Sequence, residues 1–261
     1  MIDTSVSHSA RVWNYWLDGK DNYPVDRKAG DQIRAALPGI FDIARASRAF
    51  LVRAVRYLAG EVGIRQFLDV GTGLPTANNT HEVAQATAPE CRIVYVDNDP
   101  LVLVHARALL TSSSEGATDY VNADLRDPDT ILTEAARTLD FAQPIALILL
   151  GIVQHVLDTA EAYTILHRLL DALPPGSYLV LADPSRDGVD GEAVFEASRL
   201  WNESGGRPPV AIRSLQEITR FFDRVELLEP GVVSVSLWRP DPRHIDAPAE
   251  VSKFGGVGRK P

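Results

Sequence analysis

Apolar residues follow two repeating patterns along this chain. Short, nearly continuous apolar runs, typical of strands buried on both faces, alternate with longer segments in which apolar residues recur at helical spacing. The predicted strands are residues 66–70, 92–96, 118–123, 145–150 and 177–182. The predicted helices are residues 12–19, 31–36, 43–58, 101–110, 127–139, 158–173, 190–204 and 214–222, with another ending near 88. This alternation predicts an α/β fold with a doubly wound parallel sheet that holds its ligand at the carboxyl ends of the strands.

Two segments near the end of the chain depart from the alternation. Residues 224–228 and 232–238 flank Glu229-Pro230-Gly231, a pattern typical of an antiparallel hairpin. From Pro240 onward the chain is rich in proline, glycine and charge, which on composition alone predicts a mobile tail. We therefore predict three regions, which are an N-terminal helical extension at 1–42, a main domain at 43–239 with a cap insertion at 190–212, and a tail at 240–261.

The N-terminal extension is unusually aromatic between residues 10 and 27. One interpretation is a lid over the ligand site. The other is a helix packed outside the sheet, with Trp13 and Trp16 as anchors in the core. Composition favours neither interpretation over the other.

The most informative stretch is Asp69-Val70-Gly71-Thr72-Gly73, at the end of the first predicted strand and the start of the turn after it. Gly71 allows a tight turn, and Gly73 lets the backbone approach a ligand without a Cβ in the way. Thr76 occupies the place of a third glycine, so a dinucleotide fingerprint fits badly. The Asp69 carboxylate would repel a pyrophosphate but favours a cationic amino group or sulfonium, which indicates S-adenosylmethionine. The alternative is that Asp69 only caps the turn.

Acidic residues also end the second and third predicted strands. Asp97 can accept two hydrogen bonds from the hydroxyls of a ribose, whereas Asp99 is better explained as a helix N-cap. Asp124 can accept from the exocyclic amine of adenine, with a neighbouring backbone N–H serving a ring nitrogen. The carboxyl ends of parallel strands meet at one edge, so these side chains are expected to lie together.

The ends of the fourth and fifth strands supply candidates for chemistry at the same edge. His155 or Asp183 could take a proton from a hydroxyl acceptor, although a backbone-bonded structural role is the alternative for His155. Gln154, Tyr163, Phe195 and Trp201 are the candidates for lining a pocket that holds an aromatic small-molecule acceptor.

Composition narrows the partners and the compartment. The chain has 261 residues, 45% of them hydrophobic, and its net charge of −9 argues against broad binding to nucleic acid or anionic lipid. No apolar run is long enough to span a bilayer, and the N-terminus lacks a signal-peptide pattern, which predicts a cytoplasmic protein. Cys91 is the only cysteine, which excludes a disulfide framework and a thiolate zinc site, so we expect no metal.

Five segments, 11–12, 18–23, 47–51, 67–76 and 79–84, carry a resemblance that covers nearly the whole chain. Together they resemble the bacterial DUF574 family, also called the S-adenosyl methyltransferase or methyltransferase type 19 family. The resemblance implies a Rossmann-like class I methyltransferase with a seven-stranded sheet in the order 3-2-1-4-5-7-6, a terminal antiparallel hairpin and an N-terminal lid. It also leaves open that residues 254–260 dock onto the domain.

The resemblance further implies which residues contact S-adenosylmethionine. Carried onto this sequence, the implied contacts are Asp69, Gly71 and Gly73 for the methionine moiety, Asp97 for the ribose, and Asp124 with Leu125 for the adenine. Further implied cofactor contacts are Thr72 and Asn98, beside these groups, and Lys20 and Asn22. Similar chains often carry histidine at the position of Gln154, so a histidine base there is not carried over.

Two functions follow from these expectations. The first is an S-adenosylmethionine-dependent methyltransferase that methylates a small molecule, such as a secondary metabolite, and releases S-adenosylhomocysteine. The second is a non-catalytic, regulatory S-adenosylmethionine-binding protein. An oxidoreductase with a nicotinamide cofactor is disfavoured by Asp69, Thr76 and the predicted terminal hairpin.

Overall fold

The computed structural model describes residues 3–102, 104, 112–241 and 248–261. In this part of the chain the strands are β1 Gln66–Val70, β2 Arg92–Asp97, β3 Ala117–Asn122, β4 Ala146–Leu150, β5 Tyr178–Pro184, β6 Glu226–Leu227, β7 Val233–Ser234 and β8 Lys253–Arg259. The α-helices are α1 Ser9–Trp16, α2 Pro24–Ala36, α3 Ile40–Tyr57, α4 Thr80–Thr87, α5 Pro128–Ala135, α6 Thr159–Asp171, α7 Gly191–Glu203 and α8 Leu215–Arg220. The helix predicted at 101–110 falls mostly outside the described residues.

The strands form one mixed sheet in the order β3-β2-β1-β4-β5-β8-β6, and β7 also pairs with β8. Strands β1 to β5 run parallel, and β8 lies antiparallel to β5 from the pair Tyr178–Arg259 to the pair Pro184–Lys253. The predicted Rossmann-like sheet with antiparallel end strands is confirmed. Its strand order reverses between β1 and β4, which is where open α/β sheets form a ligand crevice.

The end of the chain differs from its predictions in two ways. Residues 224–228 and 232–238 do not pair with each other, because β6 and β7 are two residues long and both pair with β8. The segment predicted as a mobile tail contributes β8, which lies between β5 and β6. The glycines that suggest a loop are required by packing, since a Cβ at Gly255 would lie 2.4 Å from the backbone oxygen of Leu181.

Both faces of the sheet are covered, so its central strands are apolar on both sides. In β1, Phe67 joins the hydrophobic cluster on the α3 face, whereas Leu68 joins the cluster on the α5 and α6 face. All five residues of β1 are buried, and β4 differs only at Leu150. The nearly continuous apolar runs of the sequence therefore reflect a sheet buried on both faces.

The N-terminal helices form a layer at the carboxyl edge of the sheet, held by a buried ion pair. Asp26, which is fully buried, accepts from Arg11 Nε at 3.1 Å and from the backbone N–H groups of His8 and Tyr23 at 3.0 and 2.9 Å. Helix α2 starts at Pro24 and is longer than the predicted segment 31–36. Its other side packs against α7, so the extension and the cap meet.

Two general properties follow for the described part of the chain. None of its helices has the length and apolarity needed to cross a membrane. Its histidine, cysteine, aspartate and glutamate side chains do not form a group of three that could hold a metal ion.

Candidate active site

The turn after β1 forms the floor of a cleft at the carboxyl edge of the sheet. Gly71 and Gly73 have φ values of +76° and +66°, which favour glycine. A Cβ at Gly71 would lie 2.4 Å from a carbon of Ile152, whereas a Cβ at Gly73 would meet nothing within 4 Å. Gly71 is therefore needed for packing and Gly73 faces open space. We call this space, bounded by the turn, α1 and residues 150–152, the central cleft.

Asp97 connects the end of β2 to the glycine turn. Its Oδ2 accepts from the N–H of Gly73 at 2.8 Å, and its Oδ1 accepts from the N–H of Asp99 at 3.0 Å. Burial raises the pKa of this carboxyl group, and the two backbone donors oppose that rise. Asp99 itself accepts from the N–H of Leu101 at 2.8 Å, which is the hydrogen bond expected of an N-cap.

Asp69 is a buried carboxyl group in the wall of the central cleft. Its pKa is raised to about 6, mainly by burial, against the hydrogen bond from Thr80 and the charge of Arg48, with a smaller upward effect from the charge of Asp97. The Thr80 hydroxyl donates to Asp69 Oδ2 at 2.6 Å. Two carboxylates thus face one cleft, an arrangement that a cationic ligand would stabilise.

Arg48, on α3, is a further residue of the central cleft. Its guanidinium donates to the backbone oxygens of Ala77 and Asn78 at 3.1 and 2.9 Å, which fixes the loop before α4. Its Nε is buried without a hydrogen-bond partner, and burial lowers its pKa. Arg45, on the same helix, is exposed and pairs with Asp18 and Asp42. Helical periodicity does not distinguish the two arginines.

A smaller side pocket opens from the central cleft at the ends of β2 and β3. Asp97, Asn98, Asp124 and Leu125 line it together with Arg126. The Asn98 amide donates to Asp124 Oδ2 at 2.8 Å, and the N–H of Arg126 donates to Asp124 Oδ1 at 2.8 Å. The structure therefore brings together the four residues predicted to contact ribose and adenine.

Two predicted cofactor contacts do not line these spaces. Lys20 is exposed, and Asn22 donates to Asn14 Oδ1 at 3.0 Å and to the backbone oxygen of Gly19 at 2.9 Å. The loop that carries them closes on α1, and Asn14, which holds the loop, itself lines the central cleft. Asn22 therefore shapes the loop, and Asn14 occupies the position expected of a contact.

His155 lies in a short 3-10 turn, Val153–His155, after β4. Its Nδ1 is 3.0 Å from the backbone oxygen of Pro209. A carbonyl oxygen only accepts, so Nδ1 carries the hydrogen and Nε2 is left as an acceptor. Burial lowers the pKa of His155 to about 4, against the opposing effect of the Pro209 hydrogen bond. The imidazole is therefore neutral at physiological pH.

An apolar pocket lies beside the central cleft, between the N-terminal helices and α7. Its walls include Trp13 and Trp16 on α1, Trp201 on α7, and Gln154 at its polar end. Four residues border both spaces and mark their junction. These junction residues are Ser9, Trp13, His155 and Lys253.

Two residues predicted for the acceptor pocket lie elsewhere. The Tyr163 hydroxyl donates to the backbone oxygen of Glu217 at 2.9 Å, and its ring packs on Phe221, under α8. Phe195 is 53% exposed on the outer side of α7 and does not line the pocket. Both predictions rest on residue type alone. Each residue lies on a face of its helix that points away from the apolar pocket. Gln154 and Trp201 do line the pocket.

Asp183 is placed behind the cleft rather than in it. It is 1% exposed, lines neither the central cleft nor the apolar pocket, and lies 4.0 Å from Arg213 Nη1. Burial raises its pKa to about 7, and the charges of Arg213 and Lys253 oppose that rise. Asp183 therefore does not reach a bound acceptor. Lys253, which the sequence did not identify, occupies the junction instead.

The donor set fits S-adenosylmethionine better than a dinucleotide. The pair of buried carboxylates, Asp69 and Asp97, suits a ligand with cationic groups, and the open space at Gly73 gives its chain room to pass the turn. The side pocket offers carboxylate and backbone groups for a ribose and a purine. A profile described as S-adenosyl methyltransferase matches residues 1–261.

The chain belongs to the S-adenosyl methyltransferase family. It is thus a member of a family of S-adenosylmethionine-dependent methyltransferases, and the predicted family and cofactor are confirmed. Known structures agree with this assignment. A DUF574 family protein from Streptomyces avermitilis is 44% identical, with full coverage of both chains and a TM-score of 0.94. A protein from Thermobifida fusca is 41% identical over 99% of this chain and 96% of the other, with a TM-score of 0.89.

Two further similarities are more distant. The carboxy-S-adenosyl-L-methionine synthase of Klebsiella pneumoniae is 24% identical over 248 residues, which is 89% of this chain and 93% of that protein. The plantazolicin methyltransferase BpumL, solved with S-adenosylhomocysteine, is 11% identical with a TM-score of 0.52 and shares the fold.

Proposed function

We propose that this enzyme transfers a methyl group from S-adenosylmethionine to a small molecule bound in the apolar pocket. The observation that carries the proposal is the junction, because His155 and Lys253 border both the central cleft and the apolar pocket. A reacting atom held there would lie between the two bound molecules. Most of the acceleration in such a displacement comes from holding the nucleophile close and aligned.

The cofactor would be held by the residues of the cleft and of the side pocket. Asp69 with the turn Gly71-Thr72-Gly73 suits the methionine moiety, and Arg48 is the cation nearest to that end. Asp97 suits the ribose, while Asn98, Asp124 and Leu125 suit the adenine end. In this arrangement His155 and Lys253 would lie beside the methyl-bearing end of the cofactor.

When bound, S-adenosylmethionine supplies an electrophilic methyl group whose carbon–sulfur bond breaks as the acceptor forms its bond to carbon. The protein orients the acceptor and excludes water, tasks for which the walls of α1 and α7 are suited. For a hydroxyl acceptor, His155 Nε2 takes the proton, because Nδ1 is committed to Pro209 and the ring is neutral. An amine acceptor would not need this base.

The test is turnover with methyl-labelled S-adenosylmethionine and a panel of aromatic alcohols and amines. For hydroxyl acceptors that remain un-ionised at the assay pH, we expect His155→Gln to lower kcat by about 10²- to 10⁴-fold, the usual contribution of a general base. His167→Gln, a histidine on α6 away from the cleft, is the matched control and should retain activity. Both variants should bind S-adenosylhomocysteine as the wild type does.

The alternative function is regulatory binding of S-adenosylmethionine without transfer. Tight cofactor binding with no turnover of any acceptor in the panel would favour it and would contradict the proposal. Equal turnover by His155→Gln and wild type would contradict only the role of His155 as a base.

A further inference from the structure

Lys253 is a buried cation at the junction of the central cleft and the apolar pocket. Its side chain is 1% exposed, and its ammonium lies 4.7 Å from the centroid of the Trp13 ring. A Cβ at Gly151 would lie 2.9 Å from Nζ, so the ammonium sits directly against the backbone at the end of β4. Among the described residues, none accepts a hydrogen bond from Nζ. A buried ammonium in this state is costly unless an acceptor reaches it.

The charges around this ammonium do not balance. Asp183 is the buried carboxylate whose charge favours this ammonium, and it also lies 4.0 Å from Arg213 Nη1. Arg213 donates to the backbone oxygens of Val153 and Val156 at 3.1 and 2.6 Å, which holds it behind the cleft. Two cations therefore share one carboxylate. Burial lowers the pKa of Lys253 to about 8, and the charge of Asp183 opposes that shift.

The rest of the apolar pocket offers few polar groups. Apart from Lys253, the polar side chains that line it are Ser9, Gln154, His155 and Ser198, and His155 is neutral. The remaining walls are aliphatic or aromatic, with three indole rings among them. A ligand that matches this surface is flat and apolar and carries a single anionic atom at the end nearest the cofactor.

We propose that the methyl acceptor is an aromatic compound with one weakly acidic hydroxyl, which Lys253 binds as its oxyanion. This inference rests on the proposed function and adds the substrate class. Lys253 is the recognition residue, and its ammonium supplies the hydrogen bond and the charge that the oxyanion needs. Trp13 and Trp201 supply the flat apolar walls.

The reaction balances with the groups present. The hydroxyl proton passes to His155 Nε2 or to water, the oxyanion forms the new oxygen–carbon bond, and the carbon–sulfur bond breaks. The negative charge of the oxyanion and the positive charge of the sulfonium cancel in the products. Lys253 keeps its proton throughout. Its ammonium loses its anionic partner when the oxyanion becomes a methyl ether.

The probe is 4-nitrophenol, whose phenolate absorbs visible light and so reports its own protonation state. It is titrated against the protein saturated with S-adenosylhomocysteine over a range of pH, and phenolate absorption is recorded. We expect the bound probe to ionise at a pH at least about one unit below the free probe, since a neighbouring ammonium favours the charged form. The titratable groups that face the ammonium are Asp183 and His155, with His8 across the cleft.

Substitutions at Lys253 separate recognition from folding. We expect Lys253→Met to weaken probe binding by about 10- to 100-fold and to abolish the ionisation shift, as the loss of a hydrogen bond to a charged group predicts. Lys253→Arg should retain most of the shift. Lys28→Met, an exposed lysine on α2, is the matched control and should behave as wild type. Thermal melting checks that each variant folds.

The outcomes distinguish this inference from the proposed function. A wild type that binds S-adenosylhomocysteine but holds 4-nitrophenol in its protonated form, or a Lys253→Met variant that keeps the shift, would overturn the role of Lys253. Nitrobenzene binding as tightly as 4-nitrophenol would overturn it as well. If Lys253→Met fails to fold, the wild-type shift alone decides. Failure to bind S-adenosylhomocysteine would instead remove the proposed function.

Discussion

The ammonium of Lys253 lies 4.7 Å from the centre of the Trp13 ring. This contact joins β8 to α1. Both residues border the central cleft and the apolar pocket. Trp13 in turn packs edge-on against Trp16, with 5.5 Å between the ring centroids. The N-terminal helix therefore shapes the junction as well as covering it.

Trp13 contributes its ring face to this contact, so the aromatic character of the residue should matter. A cation–π contact contributes about 1–2 kcal/mol at a desolvated site. We expect Trp13→Leu to weaken 4-nitrophenol binding by several-fold and Trp13→Phe to retain most of it, measured by the phenolate titration. Equal losses in the two variants would show that the size of the indole, and not its interaction with Lys253, is what matters.

Asp97 is expected to be the main anchor of the ribose. Asp97→Ala removes the carboxylate that accepts hydrogen bonds from the ribose hydroxyls. Hydrogen bonds to a charged group contribute about 1.5–3 kcal/mol, or roughly 10- to 100-fold in affinity. Calorimetric titration with S-adenosylhomocysteine measures this directly. Asp119→Ala, on the exposed side of β3, is the control and should bind normally. Unchanged affinity in Asp97→Ala would place the ribose elsewhere.

Asp69 links cofactor binding to stability and pH. Burial raises its pKa from 3.8 to about 6, so the ionised form is less favourable in the folded protein than in the unfolded chain. The free energy of unfolding without ligand should therefore fall as pH rises from about 4 to about 6, by up to about 3 kcal/mol. S-adenosylmethionine affinity should move in the opposite sense and weaken as pH is lowered through about 6.

The variant Asp69→Asn separates these two effects. It should raise the free energy of unfolding of the unliganded protein at pH 7 by about 1–3 kcal/mol. It should also weaken the binding of S-adenosylmethionine at least about tenfold. Denaturant unfolding at pH 4 and pH 7, together with calorimetry, gives both quantities. A variant that is less stable than wild type at pH 7 would show that the Asp69 carboxylate stabilises the unliganded fold, contrary to this account.

The two turn glycines should fail for different reasons when replaced by alanine. Gly71→Ala combines a left-handed backbone with a clash at Ile152 and should cost about 2–5 kcal/mol of stability. In Gly73→Ala the new methyl group meets no neighbour, so the loss of stability should be only about 1–2 kcal/mol. The methyl group projects into the cleft, however, and should weaken the binding of S-adenosylhomocysteine at least about tenfold. Normal ligand affinity in Gly73→Ala would mean that the ligand does not pass this turn.

The sequence allowed the parallel strands and their acidic ends to be predicted because both are local features. Asp69, Asp97 and Asp124 each lie at the carboxyl end of a predicted strand, so the topology alone brings them to one edge. The glycine spacing of 71 and 73 is equally local. These residues could be found without knowing which helices pack over the sheet.

The junction could not be predicted in the same way, because it depends on contacts between distant segments. Lys253 begins a glycine-rich strand whose composition resembles a loop, and its ring partner is Trp13, at the other end of the chain. Phe195 and Tyr163 show the converse, since aromatic residues suggest a pocket but their helix faces direct them elsewhere. Residue type is local, whereas the packing that gives it a role is not.

We expect the sulfur end of the bound cofactor to face the junction of the two spaces. A crystal structure with bound S-adenosylhomocysteine tests it through the distances from the ligand sulfur to His155 Nε2 and Lys253 Nζ. We predict that both are within about 8 Å, which is the combined reach of a methyl group, a near-attack contact and one hydrogen bond. A sulfur that points away from Lys253, or lies well beyond this distance, would contradict the account.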